Sequence, residues 1–189
     1  MDEIIDILTS EGEFTGKTCL KSEAHQKGLY HQTVHIWFYT DDKKVLLQKR
    51  ASVKKVFPNH WDVSVAGHIG AGEKIESAAI REVKEEIGIS ISEHDLSKIG
   101  MRKDKIEHPN GILDYEFKHV FISKLQHNLS TLTMQTDEID DVQLFELSIL
   151  KDSTKHGSFM VPNMNHYYDF IYDKIYSVGL SKKASDKAP

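Results

Sequence analysis

A disulfide framework is excluded at once, because the 189-residue chain has a single cysteine, Cys19. A reducing compartment is expected, and one unsupported thiol is a weak basis for nucleophilic catalysis. Basic tracts are missing too: 24 Lys and Arg face 29 Asp and Glu, for a net charge of −5. A sequence-independent grip on a nucleic-acid polymer is therefore not expected, whereas a few local cations could still hold a small phosphorylated ligand. No apolar run approaches the roughly 18 residues of a membrane span, and the acidic N-terminus lacks the charged-then-apolar pattern of a signal peptide. A cytoplasmic protein without a membrane partner is expected. Only four prolines occur, with no repeat and no long linker. A single domain over residues 1–180 is expected, with an N-terminal hairpin extension, a C-terminal helix and a disordered tail at 181–189. A homodimer is left open.

What the chain does have is a dense acidic stretch, GHIGAGEKIESAAIREVKEEIGI, over residues 67–89. At about 100° per residue, Ala79, Ile80, Val83 and Ile87 form an apolar stripe roughly 100° wide. Glu85, Glu82 and Glu86 fall on an adjoining face, with Ala78 leaving room beside them. Like charges three and four residues apart destabilise a helix by about 0.2–0.5 kcal/mol per pair unless something cationic offsets them. A cluster of carboxylates without Cys or His suits a hard cation such as Mg²⁺ or Mn²⁺. Gly88 is a good helix terminator. Gly67, Gly70 and Gly72 make a loop able to approach a metal or a phosphate closely.

Spacing separates this reading from that of a merely solvated acidic face. Gly67, Glu73, Arg81, Glu82, Val83, Glu85, Glu86, Gly88 and Ile89 fit G-x5-E-x7-R-E-(aliphatic)-x-E-E-x-G-(aliphatic) at every fixed position. By composition, chance agreement at one starting position is on the order of one in a hundred million. The stretch resembles the signature of the Nudix family, whose members hydrolyse a diphosphate linked to an organic or nucleoside group.

Apolar runs at 3–8 and 13–20 around Ser10-Glu11-Gly12 predict a hairpin, and polar residues 22–28 a loop or short helical turn. Residues 33–39 and 44–50, turned at Asp41-Asp42, predict a second hairpin central to a sheet. Residues 61–66 alternate with period two and predict one strand entering the glycine loop. Strands are predicted at 97–106 and 112–125 around the turn at 108–111, and at 141–145. Pro162 at a first helical position, with Tyr168, Ile171, Ile175 and Val178 at helical spacing, predicts a helix over 162–178. Pattern alone supports α+β. The Nudix resemblance implies a mixed β-sheet in an α/β/α sandwich.

A second resemblance lies around the box. Residues 47–50, Lys54-Lys55, Phe57-Pro58 and 61–68 are similar to the matching region of isopentenyl-diphosphate isomerase, a Nudix-fold enzyme that does not hydrolyse its substrate. That resemblance implies a second metal site at His25, His31, His68, Asp114 and Glu116. Three imidazoles with two carboxylates at i, i+2 on a strand suit a transition metal. Two departures point away from isomerisation. Ala66 stands where the isomerase has its essential cysteine, and alanine cannot transfer a proton. The isomerase's C-terminal tryptophan has no counterpart, since the two tryptophans here are Trp37 and Trp61. The full Arg-Glu-x-x-Glu-Glu set, partly lost in the isomerase, is intact.

The Nudix resemblance thus implies a Mg²⁺- or Mn²⁺-dependent diphosphohydrolase acting on a small-molecule diphosphate. Glu82, Glu85, Glu86 and the Gly67 carbonyl would hold the ion, with Arg81 and Glu73 orienting them. The isomerase alignment puts Arg50 and Lys54 on the diphosphate. Glu116 is the first choice for general base, with Glu85 or Glu86 as the alternative. An isomerase and a non-catalytic Nudix-fold sensor are the competing readings.

Overall fold

The computed structural model describes residues 2–185. The elements run β1 (Ile4–Leu8), β2 (Phe14–Leu20), α1 (Lys21–Lys27), β3 (His31–Tyr39), β4 (Lys44–Arg50), β5 (Trp61–Asp62) and β6 (Val65–His68). They continue with α2 (Ile75–Ile87), β7 (Ser97–Glu107), β8 (Leu113–Lys124), β9 (Ile139–Glu146) and α3 (Asn165–Ser185). β1 and β2 form a separate hairpin, as expected. The other strands make a seven-stranded sheet in the order β5-β4-β3-β8-β7, with β6 added to β3 and β9 to β4. β3 and β8 are parallel while the remaining pairs are antiparallel, so the sheet is mixed.

β3 organises the layers because its side chains alternate. Val34, Ile36 and Phe38 pack with Ala79, Val83 and Ile87 of α2. Trp37, on the opposite face, packs with Tyr167, Tyr168, Ile171 and Ile175 of α3. Full burial of each such aliphatic or aromatic side chain contributes about 1.5–3 kcal/mol. The result is the α/β/α sandwich that the resemblance implies. Toward its N-terminal end the α3-side face of β3 turns polar, through His35, Thr33 and His31, and there His35 and Thr33 line a cavity instead of a core.

Helix α2 ends at Gly88, whose φ of 75° and contact with the Thr133 backbone leave no place for a Cβ. Its buried face is turned relative to the expected stripe: Ile80 is only half-buried, whereas Ala78, Glu82 and Glu86 join Ala79, Val83 and Ile87 inside. Two carboxylates are thus part of the packed surface. The expected strand over 61–66 is two short ones. Ser64 interrupts it, donating from Oγ to the Leu46 carbonyl at 2.5 Å and accepting from the Phe38 amide at 2.8 Å. Its side chain replaces ladder bonds, and β6 leaves β4 to pair with β3. The polar stretch expected as a loop or helical turn is the short helix Lys21–Lys27, closed by Gly28 at φ 62°. Pro162 is not a helix-initiating residue, since α3 begins three residues later, and α3 continues past 178 to Ser185. Of the expected tail, 186–189 lie outside the described residues. The N-terminal hairpin braces the glycine loop: the Ala71 amide donates to the Ile4 carbonyl and the Gly72 amide to Asp6, at 2.9 and 2.7 Å.

Candidate active site

The fork between β4 and β6 is where α2 brings its carboxylates. Glu86 accepts there from the Ala66 amide at 3.3 Å and, more weakly, from the Gln48 side chain at 3.5 Å. Glu82 lies against Gly67 so closely that a Cβ at that position would sit 1.9 Å from its carboxyl carbon. The glycine is therefore required by close approach, and the Gly67 backbone and the Glu82 carboxylate form one cradle. Arg81 ties the box together. Its Nε and Nη2 grip Glu73 bidentately at 2.9 Å, Nη1 donates to Glu82 at 2.7 Å and Glu85 at 2.9 Å, and Nη2 also reaches the His68 carbonyl. Glu73 in turn accepts from the Gly70 amide at 2.9 Å.

These contacts set the electrostatics. Burial pushes Glu82 up to about 7 against the pull of Arg81. Burial, and the charge of Glu82, push Glu86 well above the usual carboxylate range. Arg81 has the opposite effect on Glu73, whose carboxyl it holds down. Glu85 is half-exposed. Buried carboxylates whose ionisation is disfavoured, beside a backbone that approaches within contact distance, fit a bound divalent cation, which would supply the missing counter-charge.

A second cluster lies in the same cavity, which has a volume of about 860 Å³ and is lined by Gly67, His68, Glu82, Glu85, Glu86, His25 and Glu116 among others. Ligand atoms of His25, His31, His68 and Glu116 all fall within 4.8 Å of one another. Strand register brings them there: His31 pairs with Glu116 across β3 and β8, and Thr33 with His68 across β3 and β6. The His31 Nδ1 lies 2.9 Å from the Leu29 carbonyl, an acceptor only, so its buried Nε2 bears a lone pair and has no hydrogen-bond partner. That nitrogen faces Glu116 at 3.7 Å, and the Nε2 atoms of His25 and His68 face each other at 3.0 Å. Imidazole nitrogens and a carboxylate converging in this way fit a transition metal, which would replace the proton shared by His25 and His68. Asp114 is the one expected member that stands apart. Its oxygens lie 2.8 Å from His25 Nδ1 and 2.7 Å from His108 Nε2, where it orients the imidazole from behind.

Glu116 lies where the second resemblance puts it. It sits among the histidines, with Lys118 Nζ at 3.2 Å. Burial alone would raise its carboxyl, but the Lys118 ammonium beside it holds it well below the usual range. Arg50 and Lys54 do line the cavity. Arg50 is held by the Val56 carbonyl and Asp62, at 3.0 and 3.2 Å, and Lys54 is paired with Glu138. Sequence reasoning missed His108, Gln48, and the group in which Lys118 and Arg102 share Asp104. That group follows from the pairing of β7 with β8, which sets Asp104 opposite Glu116 and Arg102 opposite Lys118.

Residues 29–164 match the NUDIX domain family. An uncharacterised Nudix hydrolase of Clostridium acetobutylicum is 35% identical over 164 residues, covering 84% of this chain and 78% of its own length. Isopentenyl-diphosphate Delta-isomerase 2 of Photorhabdus laumondii is 31% identical over 151 residues, covering 80% and 81%. Among solved structures, a Deinococcus radiodurans protein shares the fold with a TM-score of 0.65 at 19% identity, over 88% of this chain and 98% of its own. By the family match over most of its length and by the complete box that Arg81 holds together, the chain belongs to the NUDIX domain family and is a Nudix-type hydrolase.

Proposed function

We propose that the chain is a Mg²⁺-dependent diphosphohydrolase acting on a small organic or nucleoside diphosphate. The observation that carries this reading is Arg81, which gathers Glu73, Glu82 and Glu85 around a Gly67 backbone that Glu82 touches. Glu82, Glu86 and the Gly67 carbonyl would hold the ion, with Glu85 at its rim. When bound, Mg²⁺ would supply charge neutralisation at the phosphate and a lowered pKa for a water molecule. Arg81 and Glu73 orient the ligands without touching the substrate. Arg50 and Lys54 face the cavity where the diphosphate would lie. Glu85 is the better placed base, because it is half-exposed at the cavity and among the described residues is bound by Arg81 alone, whereas Glu116 is buried and paired with Lys118. The attacking water gives its proton to Glu85 and its oxygen to phosphorus, and the phosphorus–bridging oxygen bond breaks.

A second reading, an isopentenyl-diphosphate isomerase, is favoured by the histidine cluster and by the relative of that name. Against it, Ala66 offers only a methyl group beside Gly67, and its amide is already bound to Glu86. Incubation of the purified protein with Mg²⁺ and a panel of diphosphates decides between them, with phosphate products and double-bond position followed by mass spectrometry and NMR. Phosphate release that is lost in Glu85→Gln supports hydrolysis. Isomerised isopentenyl diphosphate without phosphate release would overturn it.

A further inference from the structure

His35 is a buried polar group in the cavity wall to which the proposed hydrolysis assigns no role. It is 7% exposed, lines the cavity, and is the register partner of Ala66. Its Nδ1 lies 2.9 Å from the Tyr167 hydroxyl oxygen, which is also 2.9 Å from Trp37 Nε1. An indole N–H can only donate, so that oxygen accepts from Trp37. Among the described residues the one acceptor bonded to the Tyr167 hydroxyl is His35 Nδ1, so its hydrogen goes there. Nδ1 is then a lone pair, and the neutral ring carries its proton on Nε2. Burial, reinforced by Lys118, keeps the ring neutral by pushing its pKa down to about 3.

The Nε2 donor has no protein acceptor among the described residues. Arg102, which also lines the cavity, stacks over the Tyr167 ring at 5.3 Å and among the described residues bonds Asp104 through Nε, so its two terminal nitrogens also remain to donate. Donors left over in a low-dielectric wall, held in place by α3, suit an oxyanion and need no reorganisation to bind it. We propose that His35 Nε2–H and the terminal nitrogens of Arg102 form an oxyanion subsite for a phosphate oxygen of the substrate's diphosphate, with Tyr167 as the positioning residue that sets the His35 tautomer. The subsite rests on the diphosphohydrolase reading.

The test uses the full chain with ¹⁵N-labelled histidine, Mg²⁺ and inorganic diphosphate. The expected result is a single His35 tautomer protonated at Nε2, whose resonance moves as diphosphate is added. In calorimetry, His35→Phe weakens diphosphate binding about 10-fold or more, as expected for a lost hydrogen bond to a charged group, and His35→Gln restores most of it. Tyr167→Phe leaves a folded protein with mixed His35 tautomers and weaker binding. A wild-type His35 protonated at Nδ1 overturns the proposal, as does an unmoved Nε2–H signal or unchanged His35→Phe affinity while calorimetry records binding. These outcomes leave the hydrolase reading intact. No diphosphate binding, together with no hydrolysis of any diphosphate in the panel, overturns both.

Discussion

The acidic box takes its ligand residues from the end of one strand and one helix close by in the chain, whereas the histidine cluster collects one residue each from α1, β3, β6 and β8. The two share a cavity, yet they handle unpaired charge in opposite ways. The box carries part of its counter-charge: Arg81 pairs with Glu82 and Glu85 and is itself anchored by Glu73, while Glu86 has no ion pair among the described residues. The cluster has lone pairs left over, with His31 Nε2 unpartnered and facing a carboxylate. A site assembled from contiguous residues can include its counter-ion at helical spacing.

The largest effect expected from breaking this arrangement is at Glu86. Glu86→Gln should lower kcat/KM for diphosphate hydrolysis about 10³-fold, because a ligand charge is lost where several kcal/mol of electrostatic stabilisation act. The same change should raise Tm by about 2–4 °C in a chain of this size. Burial raises the Glu86 carboxyl in the folded state, so the charged form costs stability at neutral pH, and a neutral amide removes that cost while keeping the Ala66 bond. Steady-state kinetics and a thermal melt check both signs, and a lowered Tm would contradict this account of the box.

Gly67→Ala comes next. A methyl group 1.9 Å from the Glu82 carboxyl carbon must displace it, with an expected loss of about 10²-fold in activity from misplacement of roughly an ångström. A variant with wild-type turnover would show that Glu82 is free to move. Glu73→Gln should lose about 10- to 100-fold, the usual effect of removing a partner that orients ligands. A change confined to Tm would mean that Arg81 needs no anchor. The smallest effect on hydrolysis is expected at His31→Ala, less than about 10-fold, because no box residue depends on it. Transition-metal content measured on the purified protein should nevertheless fall sharply. Retained metal, or collapse of hydrolysis, would mean the two clusters work as one.

How far each cluster could be read follows from the same contrast. Glu82, Glu85 and Glu86 were visible because helical spacing puts them together whatever else the chain does. The burial of Glu82 and Glu86 was not, because the α2 face that contacts the sheet is set by packing against Val34, Ile36 and Phe38. His25, His31 and His68 were singled out by resemblance, from among eleven histidines. Lys118, Asp104, Arg102 and His35 drew no attention, because alternating charged residues on a strand look solvated until the opposing strand is known. Ser64 read as one position in an alternating strand, and only its bonds to Leu46 and Phe38 reveal the break.

By itself, the sequence determined the local matters: where α2 stops, which residues pair at three and four positions along it, and the loop that Gly67 allows. These depend on backbone geometry and spacing within a few turns of chain. Tertiary structure alone decided which lone pairs and charges meet across β3, β6, β7 and β8. Register is a long-range choice, and a shift of one residue would turn His31, Glu116, Lys118 and His35 to the opposite face.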